Sequence, residues 1–277
     1  MGDSGQGLKK AAGKILGNIP GAEPESRVDA WWGLVILTIV VTVGLAVFSP
    51  DPYWRIIVFV QDGIGTTIFI SVITFVLTLV AGLIGGLGRL SKNPIIFGLS
   101  TLYVELVRGV PLLVQLLWWY FAFPQIIQTI GRSLHIEALI SYQANAIAMA
   151  IIGFVFCYGA YMSEIYRAGI QSIPRGQMEA ARSLGMTYFQ AMRYVIMPQA
   201  FRVILPPVGN EFIALLKDSS LVSVVTVTDL TRRGREFSSA NFNPIETWMM
   251  VALLYLILTL ISARAVQWFE KATRIER

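Results

Sequence analysis

Cysteine and histidine are almost missing. The 277 residues hold one of each, Cys157 and His135. A lone cysteine excludes an internal disulfide and a cysteine metal cluster, and a lone histidine excludes a multi-histidine centre. Charge is scarce too: 14% of residues are charged, where about 25% is usual in a soluble domain. No G-x-x-x-x-G-K-[ST] occurs, so the chain has no phosphate cradle of that kind. No catalytic constellation of His, Cys or paired carboxylates falls on one helical face. No strand-like alternation suggests a barrel, and no filter-like loop suggests a channel.

Apolar residues are abundant, at 55%, with a mean hydropathy of +0.63. The gaps between charges mark six apolar spans: 30–50, Gly63–Gly88, Phe97–Phe123, Ala138–Tyr166, Val203–Val227 and Thr247–Ala263. Each suits a core of roughly 30 Å at 1.5 Å per residue. Only helices or closed barrels satisfy the backbone in lipid, so these features predict an all-α membrane protein, a bundle of about six transmembrane helices. The fifth span holds Pro206, Pro207 and Gly209 and is expected to be interrupted there.

Six spans place both termini on one side. Fifteen Lys and Arg residues fall on that side and five on the other, so both termini are expected in the cytoplasm. Residues 1–29 read as a polar cytoplasmic tail without the short apolar core of a secretory leader, and 271–277 as a cytoplasmic end. Arg232, Arg233 and Arg235 in "TRRGREF" violate the rule locally. Trp31, Trp32, Trp118, Trp119, Trp248 and Trp268 lie near span ends, as an aromatic belt requires.

Between the fourth and fifth spans lies a polar stretch, "SIPRGQMEAARSLGMTYFQAMRYVIMP". Pro174 fits a helix start, and Gly185 fits a left-handed cap that ends the helix. Thr187 with Gln190 is a capping box opening a second helix, which Pro198 and Pro206–Pro207 should limit. The pattern predicts a rigid cytoplasmic helical hairpin, suited to docking on another protein. The competing reading is an amphipathic helix on lipid headgroups.

"EAARSLG" followed by "VIMP" resembles the EAA loop of ABC-importer permeases, with Val195 and Met197 at its Ile and Leu positions. "VELVRGVPLLVQLLWWYF", "YMSEIYRAGIQSIPRGQMEAARSLG" and "LPPVGNEFIALLKDSSLVSVVTVTDL" resemble the polar amino-acid permease family. The resemblance covers roughly residues 63–270, with the EAA loop at 172–200. It leaves residues 30–50 as an additional N-terminal transmembrane helix.

The resemblance implies a permease subunit of an ATP-driven importer in the bacterial plasma (inner) membrane. Its partners would be two ATPase subunits, a second permease copy or paralogue, an extracytoplasmic amino-acid-binding protein and membrane lipids, with no nucleic acid. Glu179, Ala180, Ala181, Arg182, Gly185 and Met186 would couple to the ATPase. ATP and Mg would bind in the partner chains, leaving this chain without a cofactor and without catalysis.

Charges within spans usually face a cavity or pair with one another. Glu105 with Arg108, and Glu164 with Arg167, are spaced to pair on one helical face. An amino-acid substrate needs both donors and acceptors. Glu164, Asn210, Glu211, Lys217, Asp218 and Ser219 are therefore the candidate pathway residues. Lys217 and Asp218 neutralising each other in a dimer interface is the alternative. Gly82-x-x-x-Gly86 reads as close packing within the chain. At the level of function, the competing reading is an ion-coupled secondary transporter of small solutes.

Overall fold

The computed structural model describes residues 30–273; the expected tail 1–29, with Lys9, Lys10, Lys14 and Arg27, and the end of 271–277 lie outside the described residues. All regular structure among the described residues is helical. In chain order the helices are α1 (Ala30–Phe48), α2 (Pro50–Gly88), α3 (Pro94–Gly109), α4 (Leu112–Leu117) and α5 (Phe123–Leu134). Then follow α6 (Glu137–Ile140), α7 (Ala146–Gln171), α8 (Arg175–Ser183) and α9 (Tyr188–Ala191). The last are α10 (Met197–Asp218), α11 (Leu230–Asn241) and α12 (Pro244–Thr273).

Four of these, α1, α2, α7 and α12, are long and apolar enough to cross a bilayer, and α3 with Leu112–Leu134, bent by 105°, is apolar enough for a fifth if the two parts form one broken span. The expected fifth span falls on α10, which carries Arg202, Glu211, Lys217 and Asp218, and on the 3-10 turns Ser219–Val225. Large apolar side chains face outward along the crossings, as in Val47, Ile84 and Leu106. Lipid tails are as apolar as these groups, so close packing rather than water exclusion must hold the helices together.

Glycine provides that packing between α2 and α7. A Cβ on Gly82 would lie 2.4 Å from Met162 Cβ, and one on Gly85 would lie 2.1 Å from Ser163 Oγ. The small-residue face of α2 is thus used within the chain. Ile70, Leu116, Phe154, Leu215 and Val222 form the core where α2, α4, α7 and α10 meet. The additional helix α1 lays a buried stripe of Val35, Thr38, Thr42 and Ala46 inward. It packs on α12 and α2. Trp32 lies under the Arg264 guanidinium at 5.1 Å.

The bent crossing has a local cause. Helix α3 stops at Gly109, Val110 is extended (φ −107, ψ 132), and Pro111 has no N–H to continue the ladder. Gln115, buried, donates from Nε2 to the carbonyls of Val107 and Val110, both at 2.8 Å. Backbone freed within a membrane needs such partners.

Two of the chain's prolines share another device. The π turn Trp118–Ala122 closes from the Phe123 N–H to the Trp118 carbonyl, and Pro124 follows at once. The π turn Met192–Ile196 closes from the Met197 N–H to the Met192 carbonyl, and Pro198 follows at once. A widened turn places the proline where a helical N–H is dispensable. This corrects the expectation that Pro198 limits the second hairpin helix: it runs on into α10. The expected interruption at Pro206–Pro207 is also absent, because α10 remains helical through both. The departure from α-helix comes later, in the 3-10 turns ending at Thr226, which is left-handed (φ 67).

Helix α11 lies antiparallel along the first half of α2. Leu230 N–H meets Thr67 Oγ1 at 3.2 Å, Arg233 Nε meets Asp62 Oδ2 at 2.9 Å, and Phe237 and Phe59 have ring centroids 5.5 Å apart. At the far end Arg55 Nη2 meets Asn241 Oδ1 at 3.1 Å. Asp229, fully buried, caps α11 by accepting from the N–H groups of Thr231 (3.0 Å) and Arg232 (2.9 Å) and from the Tyr255 hydroxyl (3.1 Å). Burial pushes its carboxyl above the usual range, against the pull of those bonds. The charges of "TRRGREF" are largely neutralised here: Arg232 pairs with Glu236, and Arg233 with both Glu236 and Asp62.

Candidate functional site

Two features are candidates for a site, a capped knob and a cavity in which a few charged side chains stand among apolar ones. The knob begins with α8. Its end is a Schellman closure: Gly185 N–H bonds the Arg182 carbonyl (3.0 Å) and Met186 N–H bonds the Ala181 carbonyl (3.2 Å). Gly185 has φ +83, which is why glycine stands there. Thr187 then caps the next helix, its Oγ1 accepting from the Gln190 N–H, while Gln190 Oε1 accepts from the Thr187 N–H at 2.8 Å. The corner is therefore fixed from both sides.

Helix α8 packs on the Met192–Ile196 turn, with Ala181, Ala191 and Ile196 buried. Glu179, Ala180 and Arg182 face outward, and Met186 is half-buried. Around Gly185 the knob exposes Leu184 (82%), Phe189 (70%) and Tyr188 (59%). Nothing within the described residues covers these apolar groups.

The cavity has a volume of about 390 Å³, and Arg108, Tyr161, Glu164, Ser172, Val203, Pro207 and Glu211 are among its lining residues. Its charged groups come from three helices, α3, α7 and α10. Glu164 is held by Arg167, with Nε at 3.0 Å from Oε2 and Nη2 on Oε1, and by Arg89 Nη1 at 2.7 Å from Oε2. Arg89 also reaches Glu105 Oε1 at 3.3 Å, so it ties the end of α2 to α3 and α7.

This corrects one expected pair: Glu105 takes Arg89 rather than Arg108. Arg108 instead stacks over the Tyr161 ring at 5.3 Å. The expected pair Glu164–Arg167 is present. Arg108 is the cavity residue that sequence reasoning missed, because spacing of three residues suggested a local pair. The helix end at Gly109 was the available signal that its side chain turns elsewhere.

The other candidate residues are dispersed. Asp218 accepts from the Tyr158 hydroxyl at 2.7 Å rather than pairing with Lys217. Ser219 is buried and donates to the Leu216 carbonyl at 2.7 Å. Asn210 and Lys217, seven residues apart on α10, are both exposed. Glu211 alone of this group shares the cavity with Glu164. Among the described residues no group of three or more His, Cys, Asp or Glu is placed to hold a metal.

Residues 78–275 match the family model described as "Binding-protein-dependent transport system inner membrane component". The chain is 37% identical over 206 residues to "Probable amino-acid permease protein YxeN" of Bacillus subtilis (strain 168), covering 74% of this chain and 87% of that one. It is 34% identical over 228 residues to "Glutamine transport system permease protein GlnP" of Escherichia coli (strain K12), covering 82% and 99%. A solved structure titled "Crystal structure of an amino acid ABC transporter with histidines" aligns with a TM-score of 0.69 at 33% identity, covering 83% of this chain and 98% of that one.

Proposed function

The chain belongs to the family of binding-protein-dependent transport system inner membrane components, and we propose on that footing that it carries polar amino acids as the permease subunit of an ATP-driven importer. It is a multi-pass membrane transport component, and ATP hydrolysis belongs to partner chains. The observation that carries the mechanism is the knob, a corner capped on both sides of Gly185 with Leu184, Tyr188 and Phe189 exposed.

In this reading the knob lies in the cytoplasm and seats in an ATPase groove through Glu179, Ala180, Ala181, Arg182, Gly185 and Met186. Both termini then face the cytoplasm, and α10 is the remaining crossing. Two ATPase subunits serve two permease chains, identical or paralogous, and a soluble binding protein delivers the amino acid from the opposite side. The exposed Lys217 and Asn210 on a membrane helix call for cover, which a second permease chain would supply. The cavity with Arg108, Glu164 and Glu211 is part of the transport path, and Asp218 lies beside it through Tyr158.

The test is uptake by cells depleted of ATP with the ion gradient held, and the converse. An importer of this kind stops in the first condition and runs in the second, and its permease co-purifies with an ATPase subunit. Uptake that follows only the ion gradient would instead establish the secondary transporter.

A further inference from the structure

We propose that the cavity selects an α-amino acid whose side chain carries no net charge. The proposal rests on the reading of this cavity as part of the transport path. It comes from counting which charges at the cavity wall are already spent.

Three charged side chains line it: Arg108, Glu164 and Glu211. Glu164 has no capacity left for a cation. Arg167 grips both of its oxygens and Arg89 takes one of them again, from a side chain only 11% exposed. Arg167 alone neutralises it, and Arg89, shared with Glu105, takes up a further acceptor position.

Arg108 and Glu211 are different. Arg108 rests on the Tyr161 ring and forms no salt bridge among the described residues, although its charge acts on Glu164 and Glu211 across the cavity. Stacking engages the face of a guanidinium and leaves its N–H edge free for a bidentate carboxylate. Glu211 accepts no hydrogen bond and forms no salt bridge among the described residues; the cation that acts on it is Arg108. Asp218, seven residues on, also acts on Glu211 by its charge, but its carboxylate is hydrogen-bonded by Tyr158 and does not line the cavity.

The wall therefore offers one cation and one anion that no salt bridge joins. These match the two charges every α-amino acid carries, its carboxylate and its ammonium. A third charge on the side chain would find no free partner, and burying a charge unpaired is costly. The remaining wall is mostly apolar and suits an uncharged side chain, with Ile165, Val203 and Pro207 beside Tyr161 and Ser172. The volume, about 390 Å³, suits one small solute.

The test uses the intact complex of the permease with its ATPase subunits, purified without binding protein, so that only the permease selects. Radiolabelled glutamine is bound at equilibrium and displaced by unlabelled glutamine, arginine or glutamate. Glutamine should displace at least about tenfold better than either charged amino acid, the scale expected when a charge is left unpaired. Arg108→Gln and Glu211→Gln should each lose binding by a similar factor in complexes that still assemble.

If the wild type prefers arginine or glutamate while both variants lose binding, the neutral class is overturned and the cavity stands. If both variants bind like wild type, or no amino acid binds wild type at millimolar concentration, the cavity reading falls and the proposal with it. Arg89→Gln supplies a gain of function should those variants not assemble. Releasing one arm of Glu164 should improve arginine binding relative to glutamine by several fold, and an unchanged ratio would overturn the charge count.

Discussion

Tyr158 donates its hydroxyl hydrogen to Asp218 across 2.7 Å, joining the middle of α7 to the last residue of α10. A carboxylate at a helix C-terminus is held there against the helix dipole, so a donor from a neighbouring helix matters. Removing the hydroxyl by Tyr158→Phe should cost about 1.5–3 kcal/mol, the scale of a hydrogen bond to a charged group. Thermal unfolding of the purified protein reads that loss. Asp218→Asn keeps an acceptor for Tyr158, so it should unfold near the wild-type temperature while changing the uptake rate.

Gln115 holds the bend of the α3–α4 crossing through two carbonyls. Gln115→Leu keeps the volume and leaves the Val107 and Val110 carbonyls without that donor. Each buried orphan costs about 1–3 kcal/mol, so the variant should be clearly less stable. Thermal unfolding reads this, and faster proteolysis at residues 109–111 would place the damage. Equal stability would mean water can reach the bend.

Gly185→Val tests the corner of the knob. Valine at φ +83 is strained, by an amount on the order of 1–3 kcal/mol. The corner should shift while the crossings insert as before. Transport should fall to background and the ATPase subunit should no longer co-purify, measured beside a membrane-insertion assay. Normal uptake would remove the docking role from this knob.

The clasp between α2 and α11 predicts a pH dependence. Glu236 has its carboxyl held below the ordinary glutamate value of 4.5, first by its hydrogen bond to Arg232 and then by Arg233. A folded pKa below the unfolded one adds stability at pH above the ordinary value, lost as pH falls through the lowered one. Acidification below that range should therefore raise amide exchange in α11, and Glu236→Gln should reduce this step, leaving the share of Asp62, whose carboxylate Arg233 also holds. The charges are partly exposed, so the effect is small.

The helical class, the capped corner and the glycine face of α2 were legible in the sequence because each depends on local chemistry, whereas the helix bounds were not: α2 begins at Pro50, the third span breaks at 110–111 and α11 was unforeseen. Gly185 and the Thr187–Gln190 box have the geometry their residue types imply. The long-range pairs were not legible. Arg89 is 75 residues from Glu164, and the sequence carries no mark of their meeting. The same holds for Arg233 and Asp62, 171 residues apart. Proline misled for a physical reason: a π turn ahead of Pro198 lets the helix continue, and residue type alone does not show it.

Because no cap or loop separates Thr187 from Asp218, the knob and the carboxylate held by Tyr158 are two ends of one rod. At about 1.5 Å per residue that rod is about 45 Å long. Pivoting it by about 5° at the base would swing the other end by about 4 Å, roughly the width of a side chain, in the style of rigid-body transitions. Under the proposed docking role, a lever of that length would turn a slight push at the knob into a displacement large enough to part Asp218 from Tyr158.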